Sequence, residues 1–420
     1  MTALAPGSIG LATSDAARQV ARRHRVGRAG LAVFQLSTIV GIVVLGALLY
    51  NIANEAAGLV AYEHKTDPAA VLPGGRDLAA LSAPELAAVL TANLSPGEVA
   101  TLEREAPLAE RSQAELRRLV DERVLETHAA AAWNLTDSVL DRPAIEATVA
   151  ERHPDADLRL TSWLSPAFVT APQSGDAEYA GIRTAILGSL WVIVITMAVA
   201  VPVGVAAGIY LEEYADHTRW LNRAIQTNIS NLAGVPSIIY GMLGLAVFVR
   251  ALEPLSSGGA FGAADPTTAN GRTILSAGLT MALLILPLII INAQEAIRAV
   301  PSSLREASFG LGATRWQTIR HHVLPGALPG ILTGTILAMS RAIGETAPLI
   351  VVGMSTYITF DPSSPFDKFT TLPGQIYQWT ARPQPEFHHI AAAASVVLLV
   401  LLVALNASAI YGRNRAQVRY

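Results

Sequence analysis

Six apolar runs constrain this chain more than any other feature, because each is about as long as a membrane is thick. A helix that spans a bilayer needs roughly 20 mostly apolar residues. Five of the runs contain no charged residue, and the sixth contains only Arg341 and Glu345. The six runs are Leu31–Tyr50, Thr184–Leu211, Leu232–Val249, Thr273–Asn292, Gly326–Val352 and Ile390–Tyr411. The sequence therefore predicts an all-α polytopic membrane protein with six transmembrane helices.

Basic residues flank these runs unequally, and this asymmetry predicts the orientation of the chain. With the N-terminus inside, the short inner segments carry 14 Arg and the short outer segments carry five basic residues. Cytoplasmic loops carry an excess of Lys and Arg, so we expect both termini in the cytoplasm and the spans in a bacterial cytoplasmic (inner) membrane. The predicted divisions are a cytoplasmic basic N-terminus with the first helix (1–51), an extracytoplasmic domain (52–178), a five-helix core (179–412) and a basic cytoplasmic tail (413–420).

The segment 52–178 is a polar, acidic insert in an otherwise apolar, basic chain. It carries 21 acidic and 10 basic residues, whereas the rest of the chain carries 12 acidic and 20 basic ones. Apolar residues at helical spacing between Ser112 and Trp133, together with three capping-box patterns, predict a mostly helical domain. The capping boxes are Ser82-x-x-Glu85, Ser95-x-x-Glu98 and Ser112-x-x-Glu115.

Several classes of function are excluded by residues that the chain lacks. It contains no Cys, which excludes disulfides, thiol catalysis and Cys-ligated metal centres. It has no G-x-x-x-x-G-K-[ST] phosphate loop, and its only lysines are Lys65 and Lys368. ATP hydrolysis by the usual phosphate-loop route is therefore excluded. We predict no catalytic residue, no bound metal and no cofactor on this chain.

The segment from Pro301 to Pro325 is amphipathic and joins two predicted spans. It carries Arg305, Arg315 and Arg320, has a glycine at position 312, and is longer than a simple turn requires. Such a segment suits docking to a cytoplasmic partner, or it suits lying on anionic lipid as an interfacial helix. The residues alone leave both possibilities open.

The run Gly326–Val352 combines a stripe of small residues with two charges. Small residues four apart share one helix face and let another helix approach closely. Arg341 and Glu345 lie past the middle of the run, where charges are costly unless they face protein or water. They could form a structural ion pair, or they could line an anion pathway, since Arg offers donors that match oxyanions. The stripe comprises Gly326, Gly330, Gly334, Ala338 and Ala342.

The cytoplasmic segment resembles the E-A-A loop of ABC-importer permeases. The resemblance rests on Glu306-Ala307-Ser308, on Gly312 and on His322-Val323-Leu324-Pro325, with Ser308 and His322 departing from the usual pattern. In that family the loop forms a coupling helix that rests in a cleft of the ATPase subunit, and the glycine allows a turn. The resemblance thus implies an ATPase coupling loop formed by Arg305, Glu306, Ala307, Gly312, Arg315, Leu324 and Pro325.

Three further stretches resemble PstA-type permeases of phosphate-specific ABC transport systems. They are Val203-Gly-Val-Ala-Ala-Gly-Ile-Tyr-Leu211 with Glu213-Tyr214, Leu232-Ala-Gly-Val-Pro-Ser-Ile-Ile-Tyr-Gly241, and Arg341-Ala-Ile-Gly-Glu-Thr-Ala-Pro348. The resemblance covers roughly residues 182–411 and is weak or absent before them. It implies a type I ABC-importer permease core that moves inorganic phosphate by alternating access. It also implies a substrate pathway that includes Arg341, Glu345 and Thr346.

The same resemblance implies the partners of the chain. They are a second permease of PstC type in a heterodimer, two PstB-type ATPase subunits that bind ATP and Mg, and a PstS-type phosphate-binding protein. Membrane lipid is expected as a further partner, and nucleic acid is not. Two alternatives stay open at this point: a permease for another oxyanion such as sulfate or molybdate, or a membrane regulatory or phosphate-sensing subunit that uses the outer domain.

Overall fold

The computed structural model describes residues 8–216, 218–262, 270–355, 357–358 and 360–416. Parts of the predicted N-terminal region (1–7) and of the predicted tail (417–420, with Arg419) lie outside these described residues. The chain divides into two compact units, residues 1–54 and 55–420. The first unit is built on helix α1 (Ser8–Glu55), whose stretch Arg18–Glu55 is long and apolar enough to cross a membrane.

The second unit begins with a three-stranded antiparallel sheet that was not predicted from the sequence. Strand β1 (Ala57–His64) lies between β2 (Thr127–Ala132) and β3 (Asp157–Ser162). Strand β2 falls inside the stretch between Ser112 and Trp133 that was expected to be helical, so that expectation was wrong for its second half. Pairing with β1 decides the outcome, because strand formation depends more on neighbouring strands than on local preference.

Short helices surround this sheet, and their caps largely follow the predicted pattern. Capping boxes form at Ser82 and Ser95, as predicted. Ser112 caps its helix, but the Glu115 carboxylate instead accepts a hydrogen bond from Arg111 at 2.6 Å, so the third box is incomplete. The helices are α2 (Pro68–Val71), α3 (Ala83–Asn93), α4 (Pro96–Glu105), α5 (Gln113–Val120), α6 (Leu135–Leu140), α7 (Arg142–Arg152) and α8 (Pro166–Thr170).

The capping interaction has an electrostatic consequence for α3. Hydrogen bonds from the Ser82 hydroxyl and backbone N–H, and from Arg76, lower the pKa of the Glu85 carboxyl to about 2. The carboxylate therefore stays charged at neutral pH, where a negative charge at a helix N-terminus is favourable.

Three apolar clusters hold the insert together and attach it to the rest of the second unit. Two lie within the insert, one around Leu86 and Leu116 and a smaller one in which α7 packs on Leu59 of β1. The third joins the insert to two later helices, α18 (Leu372–Thr380) and α19 (Pro385–Ala416), whose residues share a cluster with Trp163 and Phe168. The insert is therefore packed onto the membrane part of the second unit rather than joined to it by a linker.

The remaining helices form the membrane part of the second unit. They are α9 (Arg183–Ile209), α10 (Trp220–Leu232), α11 (Ser237–Gly244), α12 (Glu253–Ser256), α13 (Ile274–Arg298), α14 (Ser302–Gly310), α15 (Arg315–Thr318), α16 (Leu324–Gly344), α17 (Ala347–Val352), α18 (Leu372–Thr380) and α19 (Pro385–Ala416). Three short π-helical stretches are continuous with these helices: Tyr210–Tyr214 follows α9, Leu245–Ala251 follows α11, and Ile319–Val323 joins α15 to α16.

Helix α13 is the centre of this part and runs parallel to α9. The Thr196 hydroxyl donates to the Gly278 carbonyl at 3.1 Å, and Gly208 lies against Ala293, fifteen residues further along α13. Side chains of α13 such as Met281, Ile285 and Ile289 make the largest contribution of any helix to the main apolar core. The second unit has two ends that are named here. The insert lies at the insert end, and α14 lies at the loop end.

Two predicted spans are broken rather than continuous. Helices α10 and α11 meet at a bend of 106°, so the run that starts at Leu232 becomes a helix only from Ser237. The run Gly326–Val352 joins a longer helical stretch, Arg315–Gly344, which ends before a separate α17. Proline explains both breaks, because Pro236 and Pro348 lack an N–H and their rings clash with the carbonyl four residues earlier in a helix. Five helices, or six with the bent pair, are long and apolar enough to span a membrane within the described residues.

Candidate functional site

The segment between α13 and α16 forms a helix–turn–helix at the loop end. Helix α14 ends at Gly310, and α15 begins at Arg315 after a cap from Thr314. Between them Gly312 has a φ of +81°, which a residue with a side chain rarely adopts. The Ser308 and Thr318 hydroxyls, 2.9 Å apart, close the base of the turn. The glycine therefore lies where the sequence placed a turn.

Arg305 faces the interior of this segment. Its guanidinium donates to the Glu213 carboxylate at 3.0 and 2.7 Å, and to the backbone carbonyls of Val300 and Ile297 at 2.7 and 2.9 Å. Only 19% of the Arg305 side chain and 10% of the Glu213 side chain are exposed. These contacts tie α14 to the ends of α9 and α13, so Arg305 contributes to the shape of the segment.

Two more arginines at the loop end contact the same end of α9. Arg298 forms two parallel hydrogen bonds with Glu212, at 3.0 and 2.8 Å. The Arg315 guanidinium lies 5.6 Å from the centre of the Tyr214 ring, within range of a cation–π contact. Neither Glu212 nor Glu213 was assigned a role from the sequence. The available signal was two consecutive carboxylates directly after a long span without charged residues.

Other predicted coupling residues lie on the outside of the segment. Glu306 and Ala307 are exposed on α14. Leu311 beside the turn is 90% exposed, and Phe309 and Trp316 are about half exposed. An exposed apolar cluster around a turn is a typical binding surface for another protein. We call this set, Glu306, Ala307, Phe309, Leu311 and Trp316, the loop surface.

The small residues of α16 bring it close to α13. A side chain at position 330 would come within 2.8 Å of the Ala296 Cβ, and one at position 334 would overlap Asn292. Gly330 and Gly334 are therefore required by close helix packing, as in other interfaces of this type.

The two ends of the small-residue stripe differ in environment. Gly326 is exposed, and a side chain there would reach Val300 only at an ordinary 3.5 Å. Ala338 and Ala342 are buried in the main core. The predicted coupling residues Leu324 and Pro325 lie just before the stripe and are half buried in the continuous helix.

Arg341 and Glu345 lie where α16 ends. Arg341 is in the last turn, and Glu345 adopts an extended backbone at the C-cap with ψ of 124°. The Arg341 Nε lies 3.4 Å from a Glu345 carboxylate oxygen, a long contact, and 49% of the Arg341 side chain is exposed. Within the described ranges Glu345 is the one hydrogen-bond partner of this guanidinium. Thr346 follows as the N-cap of α17 and is half buried.

The two broken helices meet beside this pair. Gly241 of α11 lies against the backbone of Pro348 in α17, where a side chain would come within 2.7 Å. The neighbouring Tyr240 is buried, and its hydroxyl donates to the Leu232 carbonyl across the bend at 2.7 Å. Two stretches that the sequence analysis singled out separately, residues 232–241 and 341–348, are therefore in contact.

Comparison with known proteins identifies the family of the chain. The family described as binding-protein-dependent transport system inner membrane component matches residues 200–419. A probable ABC transporter permease protein of Bacillus subtilis, YqgI, is 33% identical over 260 residues, which cover 59% of this chain and 83% of that protein. The phosphate transport system permease protein PstA of Xylella fastidiosa is 32% identical over 237 residues, covering 56% of this chain and 76% of that protein.

One solved structure that resembles the fold is a bacterial alginate ABC transporter in complex with its pentasaccharide-bound periplasmic protein. The sequence identity is 17% and the TM-score is 0.44. The aligned region covers 66% of this chain and 90% of the chain in that structure. The match of the family over more than half of the chain is decisive. The protein is a multi-pass membrane protein that belongs to the family of binding-protein-dependent transport system inner membrane components.

Proposed function

We propose that this chain is the permease subunit of an ATP-driven importer of inorganic phosphate. Relatives named as phosphate permeases, 30–32% identical over more than half of the chain, support the substrate. The observation that carries the proposal is the placement of Arg341. Its half-exposed guanidinium stands at the break of one helix, close to where a second broken helix makes contact.

The chemistry of this site suits passage of an oxyanion. A guanidinium presents a planar set of donors that matches phosphate oxygens. Glu345 holds it only at 3.4 Å, so an anion can replace the carboxylate as a partner. When the anion moves on, Glu345 pairs with Arg341 again and promotes release. The Thr346 hydroxyl, next in the chain, is a further donor for the anion.

Coupling to ATP hydrolysis uses the loop surface. ATP and Mg are bound by a separate ATPase subunit, because this chain has no phosphate loop. The exposed Leu311 and Phe309 dock on that subunit, while Arg305 and Arg298 fasten the segment to the ends of α9 and α13. Closure of the ATPase dimer then moves α9 and α13 together. This movement changes the side of the membrane to which the substrate pathway opens.

The remaining partners follow from the family and from the relatives. A binding-protein-dependent importer needs a soluble binding protein and an ATPase. For this chain we propose a PstC-type second permease, two PstB-type ATPases and a PstS-type phosphate-binding protein. The loop end and both termini are then cytoplasmic, and the insert is extracytoplasmic, in a bacterial cytoplasmic membrane. We propose the same segment boundaries as those predicted from the sequence: residues 1–51, 52–178, 179–412 and 413–420.

Uptake of labelled phosphate tests the proposal. Cells that lack the chain and their complemented counterparts are compared at low phosphate, with excess sulfate or molybdate as competitors. We expect complementation to restore uptake, and neither competitor to reduce it. Uptake that is independent of the chain, or that sulfate or molybdate blocks, would contradict the assignment of phosphate as substrate.

A further inference from the structure

A cavity of about 540 Å³ lies near the start of α13, at the insert end of the second unit. Two of its lining side chains are arginines, Arg250 and Arg272, and both are exposed. Among the described residues neither guanidinium has an ion-pair or hydrogen-bond partner, although Glu253 also lines the cavity. We call it the insert-end pocket; its lining residues are Leu245, Val249, Arg250, Glu253, Asn270 and Arg272.

Close packing of the backbone builds this pocket. Gly271 has a φ of +78° and lies against the Val249 carbonyl, where an added Cβ would come within 2.4 Å of the oxygen. The Thr273 hydroxyl donates to the Ser256 carbonyl at 2.7 Å. These two contacts join the segments that carry the two pocket arginines. The arginines are therefore brought together by the fold.

Helix α17 connects the pocket to the site at Arg341. The Arg272 side chain lies across Gly353, the C-cap of α17, where an added Cβ would come within 2.4 Å of the arginine Cδ. Glu345 and Thr346 lie at the opposite end of α17, and Thr346 is its N-cap. Seven residues separate the two caps, or about 10 Å at 1.5 Å per residue. The two arginine sites are thus one short helix apart.

The charges of the pocket suit a phosphate group. A guanidinium presents a planar set of donors that matches phosphate oxygens. Two guanidiniums and one carboxylate leave the pocket with a net positive charge, and the carboxylate of Glu253 limits how tightly an anion is held. Inorganic phosphate and the headgroup of a phospholipid share this chemistry, so the test below separates them.

We propose that the insert-end pocket is an entry site that binds inorganic phosphate before it reaches Arg341. The inference rests on the proposed function and adds a second binding step to the same pathway. Phosphate that arrives at the insert end pairs with Arg250 and Arg272. It then moves past α17 to Arg341.

Protection of a single cysteine from chemical modification tests the site without transport. Because the chain has no native cysteine, Asn270→Cys places one thiol in the pocket, and Ala114→Cys, at an exposed position on α5, is the control. The assembled complex reacts with a neutral methanethiosulfonate reagent at increasing inorganic phosphate and constant ionic strength. The reaction is followed both in phospholipid nanodiscs and in a detergent without phosphate groups. The phosphate concentration that halves the rate of modification of this chain is measured.

We expect phosphate to slow modification at position 270 and not at position 114, in nanodiscs and in detergent alike. With Arg250→Gln or Arg272→Gln, half-protection should need at least about tenfold more phosphate, because a charge-assisted hydrogen bond is lost. Glu253→Gln should need less phosphate, a change of opposite sign that misfolding does not produce. Arg142→Gln, which removes an exposed arginine of the insert, should change nothing.

Three results of this experiment would overturn the proposal. They are absence of protection at position 270, equal protection in all the variants, and protection in detergent but not in nanodiscs. The last result would show that a lipid headgroup occupies the pocket.

ATP-driven accumulation of phosphate by the same complexes separates this inference from the proposed function. Accumulation by the wild-type complex without protection at position 270 would remove the entry site alone, whereas a wild-type complex that accumulates no phosphate would contradict the proposed function. We expect Arg250→Gln to lower accumulation at limiting phosphate at least about threefold, with unchanged stimulation of the ATPase by loaded binding protein. A parallel fall in stimulation would show that Arg250 docks the binding protein, and would overturn the entry site.

Discussion

Two arginine–glutamate pairs in this chain are alike in chemistry and opposite in environment. Arg305 and Glu213 are largely buried at the loop end, and two backbone carbonyls complete the hydrogen bonds of the guanidinium. Arg341 and Glu345 lie at a helix break, where the guanidinium is half exposed and its contact is long. The difference shows that the first arginine is committed to the fold, whereas the second remains available to a ligand.

The comparison also bears on the two segments that the sequence analysis distinguished, the cytoplasmic segment Pro301–Pro325 and the apolar run Gly326–Val352. In the structure the Arg305 pair fastens α14 to the end of α9, whereas the Arg341 pair lies at the far end of α16. The proposed function therefore places force transmission and substrate contact at opposite ends of one helical stretch, so that each can be perturbed alone.

The largest effect on stability is expected from Glu213→Ala. The substitution leaves the buried Arg305 charge without its carboxylate, and breaking a buried pair costs about 3 kcal/mol. Thermal unfolding of the purified chain in detergent measures the loss. Glu212→Ala is the matched control, since its partner Arg298 is 65% exposed and such pairs contribute at most about 1 kcal/mol. Equal losses for the two variants would remove the distinction between a buried and an exposed pair.

An intermediate effect is expected at the turn of the coupling segment. Gly312→Ala forces a side chain into the left-handed region, at a cost of about 1–2 kcal/mol. No atom lies within 4 Å of the new Cβ, so the backbone alone is strained. We expect weaker stimulation of the ATPase by phosphate-loaded binding protein in the reconstituted complex.

Gly310→Ala provides the control for the turn. This residue ends α14 without a positive φ, and its Cβ would also meet no atom. Alanine in a helix is more stable than glycine by about 0.5–1 kcal/mol, so this variant should retain stimulation. Loss of stimulation in both variants would point to the loop surface itself rather than to the geometry of the turn.

The smallest effect is expected from Glu345→Gln. A half-exposed pair with a long contact contributes at most about 1 kcal/mol, so the unfolding midpoint should barely move. Because the amide competes less well with an anion, phosphate should leave Arg341 more slowly. We expect the maximal uptake rate to fall about two- to threefold. A large drop in the unfolding midpoint would instead show that Arg341 and Glu345 form a structural pair.

Features of the fold were predictable from the sequence wherever a single continuous segment contained all the residues that define them. The runs that became α9, α13 and α19 were visible as uncharged apolar stretches, and the turn at Gly312 followed from the E-A-A spacing. The two helix breaks were less visible, although Pro236 and Pro348 were both present as signals. Proline is tolerated inside membrane helices, so its presence alone did not decide where a span ends.

Contacts between distant residues were not predictable. Glu213 and Arg305 are 92 residues apart, and no local pattern links them. The sheet was not predictable for the same reason, because β1 pairs with strands that lie about 70 and 100 residues later in the sequence. The Ala-rich β2 carries little strand preference of its own. The environment of Arg341 also depends on tertiary structure, since its exposure follows from the break at Glu345.

ATP-driven accumulation of labelled phosphate in proteoliposomes tests the central claim most directly. The complex is reconstituted with wild-type chain, with Arg341→Ala or with Arg341→Lys, and accumulation is normalised to assembled complex. A charge-assisted hydrogen bond contributes about 1.5–3 kcal/mol, so we predict at least about a tenfold loss for Arg341→Ala, and a partial loss for Arg341→Lys. Unchanged accumulation by Arg341→Ala in a fully assembled complex would contradict the proposed contact between Arg341 and phosphate.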